Sequence, residues 1–137
     1  MRIAYLLLAD SANQSADGKL NALGLGIRVV NAAQLPVSLS MSVLASAEMP
    51  IEERGPKRIR LTLEAPAGEE TLVDDVAEMA ARDEVLPDLP LQLNLQFALT
   101  GLEFKAAGPH RVVLEVDGAR AEYPLLVLAP TAPTRGG

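Results

Sequence analysis

His110 is the one imidazole among the 137 residues, and there is no cysteine to serve as nucleophile or soft metal ligand. A histidine works as a general base only beside a nucleophile that it deprotonates and a carboxylate that orients it. Serines and aspartates are plentiful, but no Gly-x-Ser-x-Gly elbow presents a serine for attack. His110 opens an apolar run, Arg111-Val112-Val113-Leu114-Glu115-Val116. A ring at such a strand start commonly hydrogen-bonds upstream backbone, and an imidazole N–H can do the same. A structural role is therefore expected for His110, and a hydrolase built on it is the remote alternative.

Asp10, Asn13 and Asp17, with Asp117 as a helper from another loop, are the weak candidates for a Ca²⁺ site. Calcium wants six or more oxygens, and the spacing departs from the Asp-x-Asp-x-Asp-Gly loop. Side chains of this kind also form turns by bonding their own backbone, which is the first expectation. Gly24-Leu25-Gly26 is not a dinucleotide fingerprint, because Val29 stands where a third glycine is needed and no βαβ unit surrounds it. A strand irregularity is expected there. Arg54, Lys57, Arg58 and Arg60 could hold an anion or a partner. Residues 69–88 follow closely with eight acidic side chains against Arg82, so mutual neutralisation is the simpler expectation. Nothing implies a cofactor.

These residues need elements to position them, and the dominant signal is period two, the mark of strands with one buried face. Leu91-Gln92-Leu93-Asn94-Leu95-Gln96-Phe97-Ala98-Leu99 alternates throughout, as do 58–64 and 37–43, the latter with Ser38, Ser40 and Ser42 on a face expected to be solvated. Residues 3–9 and 23–30 read as further strands. Asp117-Gly118 between two apolar runs predicts a tight hairpin, since both residues tolerate positive φ. Pro124 has no N–H, which puts its strand at an edge or a bulge. The expected core is Leu6, Leu8, Leu39, Met41, Val43, Ile59, Leu61, Leu63, Leu93, Leu95, Phe97, Val112, Leu114, Val116, Leu125 and Val127. Turn spacing predicts seven or eight antiparallel strands in two packed sheets, an all-β sandwich. Within 69–86, Leu72, Val73, Val76, Met79 and Ala80 fall at helical spacing, and a short helix is expected there.

Length allows one domain, placed at 1–129, with a Pro- and Gly-rich flexible tail at 130–137. The net charge of −6 argues against nucleic acid, which needs basic surface. The seven-residue apolar run after Met1-Arg2 is ended by Asp10 and reads as a strand rather than an export signal. No run reaches the ~20 apolar residues of a membrane helix. No membrane association and a cytoplasmic location are the expectations.

Three stretches carry a resemblance: Leu6-Leu7-Leu8-Ala9-Asp10 leading to Ala16-Asp17-Gly18-Lys19-Leu20-Asn21-Ala22-Leu23-Gly24, then Pro90-Leu91-Gln92-Leu93-Asn94-Leu95, then Gly108-Pro109-His110 through Asp117-Gly118. In order and spacing the chain resembles an uncharacterised family of short bacterial proteins with texts near "LLLADAA…ADGKLNVLG", "PLALNL" and "PGRYxxxLxVDG". The resemblance implies an immunoglobulin-like β-sandwich of unknown function and brings no catalytic residues. The chain departs from the family at His110, where Tyr is usual, and in the Ala- and acid-rich 69–86. The resulting expectation is a non-enzymatic binding or assembly module. It would be homo-oligomeric through an edge strand or an apolar sheet face, or bound to an unknown protein partner. The alternative is a small-ligand or Ca²⁺-dependent domain using loops at one end of the sandwich.

Overall fold

A computed structural model describes residues 1–77 and 89–130. Among them are nine strands: β1 (Arg2–Gln14), β2 (Leu20–Leu25), β3 (Val29–Asn31), β4 (Val37–Met49), β5 (Lys57–Ala65), β6 (Gly68–Ala77), β7 (Leu91–Phe104), β8 (Gly108–Val116) and β9 (Ala119–Leu128). They form a four-stranded sheet in the order β2-β1-β4-β7 and a five-stranded sheet in the order β3-β9-β8-β5-β6. Pairing is antiparallel throughout except between β3 and β9, which run parallel. The two inner faces enclose one apolar cluster, so the fold is an all-β sandwich.

Period two is what builds it. Leu93 and Leu95 from β7 face Ile59, Leu61 and Leu63 from β5 and Val112, Leu114 and Val116 from β8 across one continuous core. Leu8, Leu61 and Leu114 are wholly enclosed, each side chain contributing about 1.5–3 kcal/mol by its removal from water. Of the expected core residues only Leu39 and Phe97 stay partly exposed, both packed against the cluster from β4 and β7.

The count exceeds the predicted seven or eight for two reasons. The predicted strand 23–30 is broken at Gly26, whose φ is +94°, into β2 in one sheet and β3 in the other. The second reason corrects the helix expected within 69–86. Residues 69–77 lie in β6, paired with β5, and the rest of that segment lies outside the described residues. The pairing slips between Leu61↔Val73 and Thr62↔Thr71, leaving Leu72 as an extra residue. Leu72 and Val73 then both pack against the core. A bulge that breaks period two is what imitates helical spacing.

The serine face of β4 is solvated at Ser38 and Ser40, as its pattern predicts, but not from Ser42 onward. Ser42, Leu44 and Ser46 point away from the core yet are buried. Beyond Ala9↔Ser42, β1 leaves β4, and the β1–β2 hairpin folds across the outside of the sheet to β7. There Gln96 Nε2 donates to Ala12 O (3.3 Å) and Asn94 Nδ2 to Gly18 O (3.0 Å). Leu44, apolar on the serine parity, is the sequence sign of this cover. Among the described residues no helix is long and apolar enough to cross a membrane.

Candidate functional site

His110 sits on the inner parity of β8 and is 2% exposed. Its Nδ1 lies 2.9 Å from Gly108 O, which can only accept, so Nδ1 carries the proton and donates. Nε2 is sealed from solvent and has no partner among the described residues. The ring meets Phe104 edge-on, centroids 5.5 Å apart. Neither ring nitrogen is thus bonded to a hydroxyl or a carboxylate. A concavity of about 570 Å³, with Arg28, Glu64, His110, Arg111, Pro124 and Leu126 in its wall, opens beside the strand.

The four weak Ca²⁺ candidates do not converge. Asp10 lies opposite Gly24, close enough that a Cβ at Gly24 would overlap its carboxylate. Asn13 Oδ1 accepts from Asn21 Nδ2 at 2.9 Å. Asp17 holds the hairpin turn, its Oδ2 3.0 Å from Lys19 Nζ. Asp117 belongs to the other sheet. It takes φ +50° in the β8–β9 turn, and its Oδ1 accepts from Arg58 N (2.9 Å) while its N–H donates to Arg58 O (2.9 Å). Gly118 completes that two-residue turn. Among the described residues no three His, Cys, Asp or Glu side chains are grouped to hold a metal.

Of the basic cluster, Arg58 pairs with Asp74 (3.2 Å) and Lys57 with Asp117 (3.6 Å), while Arg60 donates to Thr71 Oγ1 (3.3 Å). The hydrogen bond that Arg58 donates to Asp74, and the charge of that carboxylate, hold the guanidinium above its usual range. Arg54 follows the single 3₁₀ turn at Ile51–Glu53 and is exposed. Further across the same sheet, Arg111 and Arg120 bridge Glu64, Glu115 and Glu122 over the buried Val113. The hydrogen bond from Arg120, followed by the charge of Arg111, lowers the Glu122 carboxyl below its ordinary range. The outer face of this sheet is a neutralised lattice rather than a basic patch.

What remains uncovered lies at the two sides of the sandwich. On the first, β2 and β3 are the adjoining edges. Leu23 (73% exposed) and Leu25 (55%) lie on β2, and Val29 (44%), Leu126 (41%) and Leu128 (46%) lie together where Leu126 and Leu128 pair with Val29 and Asn31; Tyr5, Val76 and Leu89 are exposed elsewhere. Tyr123 fixes this side: its hydroxyl donates to Ile27 O at 2.6 Å, and Arg28 lies over its ring at 5.7 Å. Burial raises the Tyr123 phenol above its usual range. On the second side the edges are β6 and β7. β6 carries Glu69, Glu70, Asp74 and Asp75, whereas no charged residue occurs from Leu89 to Leu102 along β7. Residues 125–128 are apolar on both parities, which is the sequence sign of the apolar surface on the first side. The edge position of β7 carries no such sign, because alternation does not tell a central strand from an outer one.

A family model described as a family of unknown function (DUF6941) matches residues 4–128. No curated protein is similar enough to count as a match. Among solved structures, the chain is similar to a β-glucosidase from Listeria innocua. The complex with isofagomine gives a TM-score of 0.47 at 13% identity over 93% of this chain, and the complex with glucose 0.48 at 14% over 90%. The chain spans 16% of the length of those chains.

Proposed function

The chain belongs to this family of unknown function, and from that premise we propose that it is a non-enzymatic module that binds or assembles through the sides of its sandwich. The observation that carries the reading is a set of exposed apolar side chains on the strands at one side. Val29, Leu126 and Leu128 adjoin across the β3–β9 pairing, and Leu23 and Leu25 are exposed on the edge strand β2. Apolar groups exposed singly need no explanation, but a contiguous set at strand edges marks a surface that another protein covers. The rest of the outer surface supports the same reading by contrast. One sheet face is covered by the β1–β2 hairpin and the other is paired charge.

The hydrolase alternative loses ground because the ring nitrogens of His110 meet only a backbone carbonyl and a sealed interior. The Ca²⁺ alternative loses ground because its carboxylates are split between two sheets, with Asp17 bonded to Lys19 and Asp117 to Arg58. The test replaces Leu126→Glu together with Leu128→Glu, two exposed positions where charge leaves the core intact. Immobilised wild-type protein should retain a protein from its native lysate that the double variant releases. Equal retention by both would remove the apolar side from the account.

A further inference from the structure

We propose that β7 is a self-recognition edge, through which two copies of the chain pair antiparallel about a two-fold axis at Leu95 to make one continuous eight-stranded sheet. The proposal rests on the module reading above and names a partner for the second side.

Each edge of a soluble sandwich needs protection, because its free N–H and C=O groups template pairing with other chains. Three of the four edges among the described residues are protected. β3 has three residues, β2 has six and turns through Gly24 at φ +66°, and β6 carries four carboxylates. β7 is different. It is 14 residues long, and from Leu91 to Leu99 it has no charge, proline or bulge. Its irregularity, at Gly101 with φ +66°, comes after that stretch.

The sequence of this open stretch is complementary to its own reverse. About Leu95, an antiparallel copy places Leu91 against Leu99, Leu93 against Phe97 and Asn94 against Gln96, with Leu95 meeting itself. Apolar faces apolar and amide faces amide at every pair except Gln92 against Ala98. That is what an isologous interface requires, since both copies offer the same patch. Leu91, Phe97 and Leu99 are incompletely covered within one chain, though they pack against its core. A second β7 would finish their burial. The acidic β6 lies at the same side and repels its counterpart in the other copy. That repulsion acts over roughly a Debye length, about 10 Å at 0.1 M salt, so added salt should tighten the pair. It also disfavours β6–β6 contact and leaves β7 as the meeting edge.

The experiment is sedimentation equilibrium of the full chain at micromolar concentration, with two sets of variants. Wild type should show twice the 14.5 kDa chain mass. Gln92→Lys with Ala98→Lys changes two exposed positions that face each other across the axis, so like charges meet twice per interface. That variant should run as a folded monomer by circular dichroism. Leu95→Cys adds the chain's sole cysteine at the axis, where paired strands bring Cα atoms to ~4.5–5.5 Å, within disulfide range. Under oxidised glutathione it should give a covalent dimer, whereas Leu25→Cys on the first side should not. A strictly monomeric wild type would overturn the proposal. So would a dimer that survives Gln92→Lys with Ala98→Lys, or one that links through Leu25→Cys but not Leu95→Cys. If in addition the dimer dissociates with Leu126→Glu and Leu128→Glu, β7 pairing is wrong while the module reading stands.

Discussion

Single side chains fix the places where strands change direction. Asp117 takes a left-handed conformation that its hairpin demands, bonds Arg58 through both its N–H and its carboxylate, and faces the buried Lys57. Asp117→Ala should cost about 1–3 kcal/mol in urea unfolding, because it strips a hydrogen bond and leaves Lys57 uncompensated. Asp117→Asn, which keeps the acceptor and tolerates positive φ, should cost less. Tyr123→Phe should cost about 0.5–1.5 kcal/mol by leaving Ile27 O without its donor. Glu122 sets a pH dependence. Its folded carboxyl sits lower than its unfolded one, so its contribution is complete above the ordinary carboxylate range and is lost as pH falls through the depressed folded value. The urea midpoint should drop on acidification in that window, and Arg120→Ala should flatten the drop. The Asp-Gly turn and the buried histidine were both legible in the sequence, because turn chemistry and strand position are local. That Asp117 would meet Arg58, 59 residues away, was not.

Three strands show where periodicity succeeds and where it misleads. β9 follows alternation residue by residue, β8 does so except at the buried Val113, and Pro124 explains its own placement. β9 is an interior strand, but β3 pairs only with residues from Leu126 onward, so the missing N–H of Pro124 falls where β9 has no second neighbour. β6 misleads because one bulge shifts its phase and a short acidic stretch then reads as helix. The β1–β2 hairpin is a long-range event that no local pattern announces apart from Leu44. It is held to β7 by the amides of Asn94 and Gln96. Replacing both by Ala should lower stability by about 1 kcal/mol per lost bond and speed amide exchange over 11–22. Unchanged exchange there would mean that burial of Leu44 alone holds the hairpin. Gly24→Ala should be costlier than a surface change, because a methyl group would take a positive φ and overlap the Asp10 carboxylate.

For the whole molecule, the sandwich was legible because half of its residues are apolar and most alternate, whereas strand order was not. Order decides which alternating strand is an edge, and the functional reading depends on that placement. The net charge of −6 takes a new meaning in the same light. Acid on β6 blunts one edge, and the neutral β7 beside it is left to pair. The most direct test is amide exchange across residues 91–99, followed by mass spectrometry on samples from low to high micromolar concentration. Pairing through β7 predicts that exchange in this strand slows as concentration rises, while β2 is unaffected. Exchange in 91–99 that is the same at every concentration would contradict it.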